Sequence, residues 1–309
     1  MALLFLSDFD NPVAWRQALA SVSPELEFRI WPEVGNVSEI EIALVWQPPA
    51  GLLASLPRLR LIQSLGAGID HLLADPELPR EVPIARLVDP SLSRQMVVYV
   101  LLAALDHHRD MGAYRAAQAR SEWQPVLPQD PTACRVGVMG QGAIGGAAAQ
   151  AFAALGFDVA GWSRSAKTIL GVAGFHGADG LGIFLARSDI LICLLPLTDD
   201  TAGILDARLF AQLPQGAYVV NVARGAHLVE VDLLAAIDSG HLSGAWLDVF
   251  RIEPLPGDSP LWGHPAITLT PHIGGWVLPA SAVVTVVENL RRVRAGEPIE
   301  NALGLNRGY

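Results

Sequence analysis

From Cys134 onward the chain alternates short apolar runs with helical stretches. The first junction in that series carries Gly140-Gln-Gly142-Ala-Ile-Gly145. Strand-like runs at 134–140, 158–162, 189–195, 217–222, 244–249 and 266–270 are separated by helical segments such as Ile144–Leu155 and Val231–Ser239. This spacing predicts crossover units and a parallel sheet. A GxGxxG that follows a strand and opens a helix is the context in which glycines form a phosphate turn. They permit a tight bend and close backbone approach, and the helix N-terminus faces the phosphates. A plain strand-to-helix turn is the alternative. Six strands with crossover helices instead predict a doubly wound nucleotide-binding sheet.

Residues 1–98 repeat the alternation, with strand-like runs at 3–6, 27–31, 42–46, 61–65 and 83–87 and a helix from Pro12 to Ser21. Gly66-Ala67-Gly68 follows the fourth run and predicts a tight turn. One long helix is expected from Leu92 to Arg120, since neither proline nor a strand pattern interrupts it, and a proline-rich loop follows at 125–131. After Gly275 comes a further helix, Ala280–Arg294. The expected fold class is therefore α/β, with two doubly wound parallel-sheet domains and a cleft between them. Residues 1–98 plus 276–309 form a substrate-binding domain, and 99–275 a dinucleotide-binding domain. Two chain crossings at the hinge would let the cleft close and exclude water.

A chain of 309 residues that is 51% hydrophobic and 17% charged can fill two cores. Its net charge of −10 and lack of a basic block (Lys167 is the only lysine) argue against nucleic-acid binding. Cys134 and Cys193 lie in apolar runs and read as buried reduced thiols rather than a disulfide or metal framework. The run Ala2–Leu6 lacks a basic flank, and no uncharged apolar stretch reaches the roughly 18 residues a membrane helix needs. A soluble cytoplasmic protein without a metal or a membrane partner is expected.

Ligands bind open α/β sheets beyond the carboxyl ends of the strands. In this chain three strand ends carry NVARG (221–225), LDVF followed by Glu253-Pro254, and PHIGG (271–275). Arg224 could hold an acid, His272 could donate a proton, and Glu253 could orient that histidine. Singly, Arg224 reads as well as a capping or ion-pair arginine, Glu253 as a solvated loop acid and His272 as a packed strand-end histidine. Together, behind a placed phosphate turn, they meet the requirements of an active site. The end of the strand after GxGxxG selects the cofactor. An NAD site places an acid there for the ribose hydroxyls. Here it reads Ser163-Arg164, with Lys167 close by, and the nearest acid, Asp158, starts that strand. Arginine and serine can bind a 2′-phosphate, which favours NADPH over NADH. The alternative is a surface Arg164 with NADH still accepted.

GxGxxG, LLPLTDDT (194–201), NVARG, LDVF (247–250), Glu253-Pro254 and PHIGG occur in the order seen in D-2-hydroxyacid dehydrogenases, which the chain resembles over nearly its whole length. LVWQPP (44–49), LGAGID (65–70), EWQP (122–125), GWSRS (161–165), EPLPGDSPLW (253–262) and RGY (307–309) look like the glyoxylate/hydroxypyruvate reductase A branch. The resemblance implies a flavodoxin-like substrate domain, a Rossmann cofactor domain and NADPH-dependent reduction of short 2-oxo acids. His272 would be the general acid, Glu253 would fix its tautomer and favour the protonated ring, and Arg224 would grip the substrate carboxylate and carbonyl. The cofactor would lie on Gly140, Gly142, Ala143, Ile144, Gly145, Ser163, Arg164, Lys167, Pro196, Thr201, Val222, Ala223, Asp248, Gly274 and Gly275. Of these, Asp248 is expected to hold the nicotinamide carboxamide; Thr201 reads equally as a helix N-cap. Gly66, Ala67 and Gly68 would form an anion nest for the substrate, with Trp46 as a wall or a core residue. Family members form homodimers through the cofactor domain, a role open to the 97–105 helix segment, which could equally be an interdomain core. Trp276 departs from the small or aliphatic residue usual after PHIGG, and either narrows the substrate pocket or packs in the hinge. Two rivals remain: a phosphoglycerate or D-lactate branch, and a non-catalytic NAD(P)-sensing binding protein.

Overall fold

A computed structural model describes residues 2–87 and 90–302, so the Arg307-Gly308-Tyr309 motif lies outside the described residues. The chain divides into two compact units: the described residues of Met1–Leu92 with Val277–Tyr309, and Ser93–Trp276.

The first unit contains β1 (Ala2–Leu6), α1 (Pro12–Val22), β2 (Glu27–Ile30), β3 (Ile40–Val45), β4 (Leu61–Ser64), α2 (Asp70–Leu73) and β5 (Ile84–Ala85). Its sheet is parallel throughout, in the order β2-β1-β3-β4-β5. That is the flavodoxin-like winding. Every residue of β1, β3 and β4 is buried, the signature of parallel strands covered on both faces. Helix α1 starts where the Asn11 side chain accepts from the Val13 and Ala14 N–H groups and Pro12 presets the first helical φ. It buries Trp15 and Leu19, each worth roughly 1.5–3 kcal/mol by transfer from water.

The division between the units falls inside α3 (Pro90–His108). The single helix expected from 92 to 120 is corrected here: α3 ends at His108, and α4 runs from Met111 to Ala119. Asp110 between them takes a left-handed φ of 53°. A short polar side chain tolerates that conformation, so no proline or glycine marks the break. Helix α3 has two faces. Tyr99, Val100, Ala103 and Ala104 are buried in the second unit's core, whereas Val98 and Leu102 are exposed.

The second unit continues with β6 (Arg135–Met139), α5 (Ala143–Ala154), β7 (Asp158–Ser163), β8 (Val172–His176), α6 (Gly177–Leu185), β9 (Ile190–Cys193), α7 (Ala207–Phe210), β10 (Ala217–Asn221), α8 (Glu230–Asp238), β11 (Leu242–Leu247) and β12 (Ile267–Leu269). The sheet order is β12-β11-β10-β9-β6-β7-β8, again parallel. Strand order reverses between β6 and β9, the position of a doubly wound crevice. The sequence predicts six of these seven strands. It misses β8, whose VAGFH is mostly solvent-facing at the sheet edge and is short and interrupted by Gly174, just after Gly171. Helix α9 (Pro279–Ala295), in the first unit, ends at Gly296 with a φ of 71°.

Both cysteines are free and buried; burial pushes the thiols up, Cys134 to about 11 and Cys193 to about 12. They are therefore unreactive thiols at neutral pH. Among the described residues no helix is long and apolar enough to cross a membrane.

Candidate active site

The GxGxxG turn sits between β6 and α5, and its three glycines answer to three different demands. Gly140 has a φ of 94°, and a Cβ there would lie 2.5 Å from the Leu194 carbonyl oxygen. A Cβ on Gly145 would lie 1.8 Å from the Gly140 carbonyl oxygen, so the helix can approach the turn only without one. Gly142, the residue that caps α5, has nothing within 4 Å of its Cβ position. The protein makes no use of that space, and a pyrophosphate on the helix N-terminus would fill it. These residues fit a dinucleotide. Ala143 is exposed and Ile144 half-buried on the first turn of α5.

The neighbouring strand β7 ends at Ser163, whose hydroxyl donates to the Ser165 carbonyl. Arg164 and Lys167 follow and are exposed. Asp158 stands at the opposite end of β7, paired with Arg187. No carboxylate occupies the 163–167 segment that ends the strand.

Arg224, Glu253 and His272 emerge beyond the carboxyl ends of β10, β11 and β12, at one edge of the sheet. His272 Nδ1 lies 2.8 Å from Glu253 Oε2, and Glu253 Oε1 accepts from the Phe250 N–H at 2.9 Å. Burial alone would raise the Glu253 carboxyl. The His272 and Phe250 hydrogen bonds and the field of Arg224 outweigh it and hold the group below the usual carboxylate range. Gly225, directly after Arg224, packs on the Phe250 backbone, and a Cβ there would lie 1.8 Å from the Phe250 carbonyl carbon. That contact locks the arginine loop onto the loop carrying Glu253. The Arg224 Nη1 donates to the Ala223 carbonyl at 2.7 Å. Val222 and Ala223 are buried beneath it.

His272 has a φ of 55°, a left-handed conformation uncommon for a residue with a Cβ. Asp248 holds it there. Its backbone carbonyl accepts the His272 N–H at 2.8 Å. Its carboxylate, 1% exposed, accepts from Thr270 Oγ1 at 2.7 Å, Ile273 N at 2.8 Å, Gly274 N at 2.8 Å and Tyr99 Oη at 3.1 Å. Trp246 Nε1 in turn donates to the Tyr99 oxygen at 2.7 Å. Burial pushes the Tyr99 phenol up to about 12, so it stays a donor. Gly274 is glycine because a Cβ would meet Asp248 Oδ2 at 2.9 Å and the Tyr99 ring at 3.1 Å. Gly275 follows in the same turn, half-buried. The Asp248 carboxylate is thus the anchor of the PHIGG turn, a task that the carboxamide expectation did not contain.

The N-cap alternative for Thr201 is corrected. No helix starts there; α7 begins at Ala207 with Asp206 as its cap. The Thr201 hydroxyl instead closes its own turn, donating to the Pro196 carbonyl at 2.7 Å and accepting from Thr198 N at 2.8 Å. Trp276 is 41% exposed. Its backbone is held at both ends by the Gln95 side chain, which donates to its carbonyl at 2.7 Å and accepts from its N–H at 3.1 Å.

In the first unit Trp46 is half-buried rather than part of the core, with its ring against His71 at 4.3 Å. A Cβ on Gly66 would lie 2.6 Å from that indole. Ser64 shapes the Gly66-Ala67-Gly68 turn, accepting from the Gly66 N–H and donating to the Gly68 carbonyl. Sequence reasoning missed Tyr99, Thr270 and His227. Thr270 stands at a strand end beside PHIGG and His227 three residues after Arg224, which are legible signals. Tyr99, inside a long helix, carries none.

A family model described as D-isomer specific 2-hydroxyacid dehydrogenase, NAD binding domain, matches residues 101–274. The chain is 40% identical to the glyoxylate/hydroxypyruvate reductase A of Serratia proteamaculans, with all of both chains covered. Among solved structures, a D-isomer specific 2-hydroxyacid dehydrogenase from Xanthobacter autotrophicus Py2 in complex with NADPH and MES superposes with a TM-score of 0.94 at 44% identity, covering 100% of this chain and 99% of that one. The NADPH-dependent glyoxylate/hydroxypyruvate reductase of Sinorhizobium meliloti, in complex with NADP and sulfate, gives a TM-score of 0.93 at 37% identity, with all of both chains covered.

Proposed function

Since the chain belongs to the D-isomer specific 2-hydroxyacid dehydrogenases, which are NAD(P)-dependent oxidoreductases, we propose that it reduces glyoxylate, hydroxypyruvate and similarly short 2-oxo acids, with NADPH as the preferred donor. The observation that carries this reading is the His272–Glu253 pair at a sheet edge shared with Arg224. The relatives named for this activity lend it weight over the full chain.

Reduction leaves negative charge on the carbonyl oxygen of the acid, and each residue answers a part of that problem. A carboxylate only accepts, so Glu253 takes the Nδ1–H of His272 and sets the ring's tautomer. Nε2 is then the atom that delivers the proton, a contribution of about 10²–10⁴-fold. Arg224 offers a planar fork to the carboxylate and polarises the carbonyl as charge develops. Asp248 keeps His272 in its left-handed backbone, which fixes the direction of delivery. Gly66, Ala67 and Gly68 are proposed to add backbone donors for the acid, and Trp46 and Trp276 apolar walls. When bound, the nicotinamide dinucleotide supplies the hydride to C2. Gly140, Gly142 and Gly145 would cradle its pyrophosphate, and Ser163, Arg164 and Lys167 would hold a 2′-phosphate. NADPH over NADH rests on those cations and on the lack of a carboxylate in that segment.

A homodimer is part of the proposal. Val98 and Leu102 are exposed on α3, and Trp123 and Leu127 are 98% and 94% exposed, which leaves apolar side chains on this unit for a second copy to cover. Buried reduced thiols fit a reducing compartment, and we place the enzyme in the cytoplasm. Oxidation of NADPH and of NADH with glyoxylate, hydroxypyruvate and pyruvate, run side by side, tests the reading. Fastest turnover is expected with NADPH and the first two acids. A preference for pyruvate would move the chain to the D-lactate branch. Tight NADPH binding without turnover of any oxo acid would make it a sensing protein.

A further inference from the structure

His227 is fully buried three residues after Arg224, and both of its ring nitrogens are committed to backbone. Nε2 lies 3.2 Å from the Pro196 carbonyl oxygen. Nδ1 lies 3.2 Å from the Arg224 nitrogen and 3.1 Å from the Arg224 carbonyl oxygen. The network assigns the tautomer. A carbonyl only accepts, so Nε2 carries the proton toward Pro196 and Nδ1 accepts from the Arg224 N–H. The Arg224 carbonyl has its own donor in Asn221 Nδ2 at 3.1 Å. One neutral ring therefore ties the backbone of the arginine to the 196–201 turn. The Thr201 hydroxyl donates to the same Pro196 oxygen from the other side of that turn.

We propose that His227 is a positioning residue that couples the oxo-acid subsite at Arg224 to the cofactor subsite at the Pro196–Thr201 turn, so that either ligand tightens the binding of the other. This inference rests on the roles given above to Arg224 and Pro196. The physical basis is rigidity. The ring spans two loops that follow different strands, β9 and β10, and a displacement of one loop must stretch a buried hydrogen bond or move the other loop with it. Buried hydrogen bonds are expensive to leave unmade, so ordering one loop with its ligand spares the second ligand part of that ordering cost.

The test measures binding rather than turnover. The dissociation constant of NADPH is read by its fluorescence with and without oxamate, an unreactive 2-oxo acid mimic, and that of oxamate by calorimetry with and without NADPH. The wild-type protein should show the same reciprocal enhancement in both directions, at least about fivefold by typical coupling magnitudes. In His227→Phe, which keeps the ring and removes both nitrogens, the enhancement should fall toward one. His227→Gln retains one donor and one acceptor and should keep a substantial part of it. Wild-type protein that shows no enhancement, or a folded His227→Phe that retains it, overturns the proposal. Should His227→Phe fail to fold, ¹⁵N-histidine spectra of the wild type decide. The His227 ring, assigned by comparison with His227→Gln, must be protonated at Nε2 and must shift on adding NADPH alone and oxamate alone. The opposite tautomer, or a ring that either ligand leaves unmoved, refutes the bridge. Arg224→Ala separates the layers: unchanged oxamate affinity in that variant would remove the carboxylate role itself, whereas weakened affinity alongside an unaltered His227→Phe would remove only the coupling.

Discussion

Gly142 and Gly145 stand three residues apart in one turn, and adding a methyl to each should have opposite consequences. At Gly142 the added Cβ meets nothing within 4 Å, and the residue's φ of −75° and ψ of −165° suit alanine. The fold should lose only the small difference between glycine and alanine at an N-cap, about 0.5 kcal/mol, or a shift in Tm of roughly 1–2 °C for a protein of this size. The methyl does occupy the space in front of the α5 N-terminus. A pyrophosphate displaced from it gives up one or two charge-assisted hydrogen bonds of about 1.5–3 kcal/mol each. A loss near 3 kcal/mol corresponds to about a hundredfold weaker Kd. At Gly145 the Cβ would sit 1.8 Å from the Gly140 carbonyl oxygen, so the helix must move off the sheet at an overpacking cost of about 1–3 kcal/mol. Thermal melts without ligand and fluorescence titration with NADPH read the two effects separately. Gly142→Ala should melt with the wild type and bind poorly, whereas Gly145→Ala should melt early. A Gly142→Ala protein that binds NADPH as tightly as the wild type, or that is destabilised as much as Gly145→Ala, would show that the open volume is not the phosphate cradle.

Other perturbations follow from the same geometry. His272→Ala should lower kcat by about 10²–10⁴ and leave NADPH affinity nearly unchanged; steady-state kinetics with glyoxylate that show full turnover would rule out its role as the acid. Arg164→Ala should weaken NADPH about tenfold or more, on the scale of one lost charge-assisted hydrogen bond, while NADH changes little. Equal losses for the two cofactors would refute the 2′-phosphate assignment. Asp189 accepts from the Arg135 N–H and guanidinium at 2.5–2.9 Å, and although burial raises its carboxyl, those bonds hold it below 3.8. The stability this contributes is present above the unfolded value of 3.8 and is lost as pH falls through the lower folded value. Asp189→Asn should therefore cost about 1 kcal/mol at pH 7, discounted for a pair that is one-third exposed. Denaturant melts should show that gap closing as the pH drops below 4; a gap that widens on acidification would reverse the assigned sign.

Much of this molecule is legible along the chain because parallel sheets make it so. Each strand is short and apolar, each crossover is helical, and every loop that can reach a ligand lies immediately after a strand's last residue. A linear reading therefore put Arg224, Glu253 and His272 at successive strand ends and the GxGxxG between a strand and a helix, and the strand order then brings the three strand ends together at one edge of the sheet. Edge strand β8 escaped it because Gly171 and Gly174 break a short run, and the break between α3 and α4 because Asp110 reaches a left-handed conformation without a glycine to announce it. The state of the site itself was decided only in three dimensions. His272 keeps a left-handed backbone through the Asp248 carbonyl and carboxylate, and that carboxylate is shared with Tyr99, 149 residues distant in sequence. Gly225 is required by the backbone of Phe250, and His227 matters because its ring meets Pro196, 31 residues away. Periodicity and local turn chemistry depend on neighbours in the chain and can be read from it. Hydrogen bonds between loops that follow different strands depend on how the strands are ordered and registered, and only the folded sheet sets those distances.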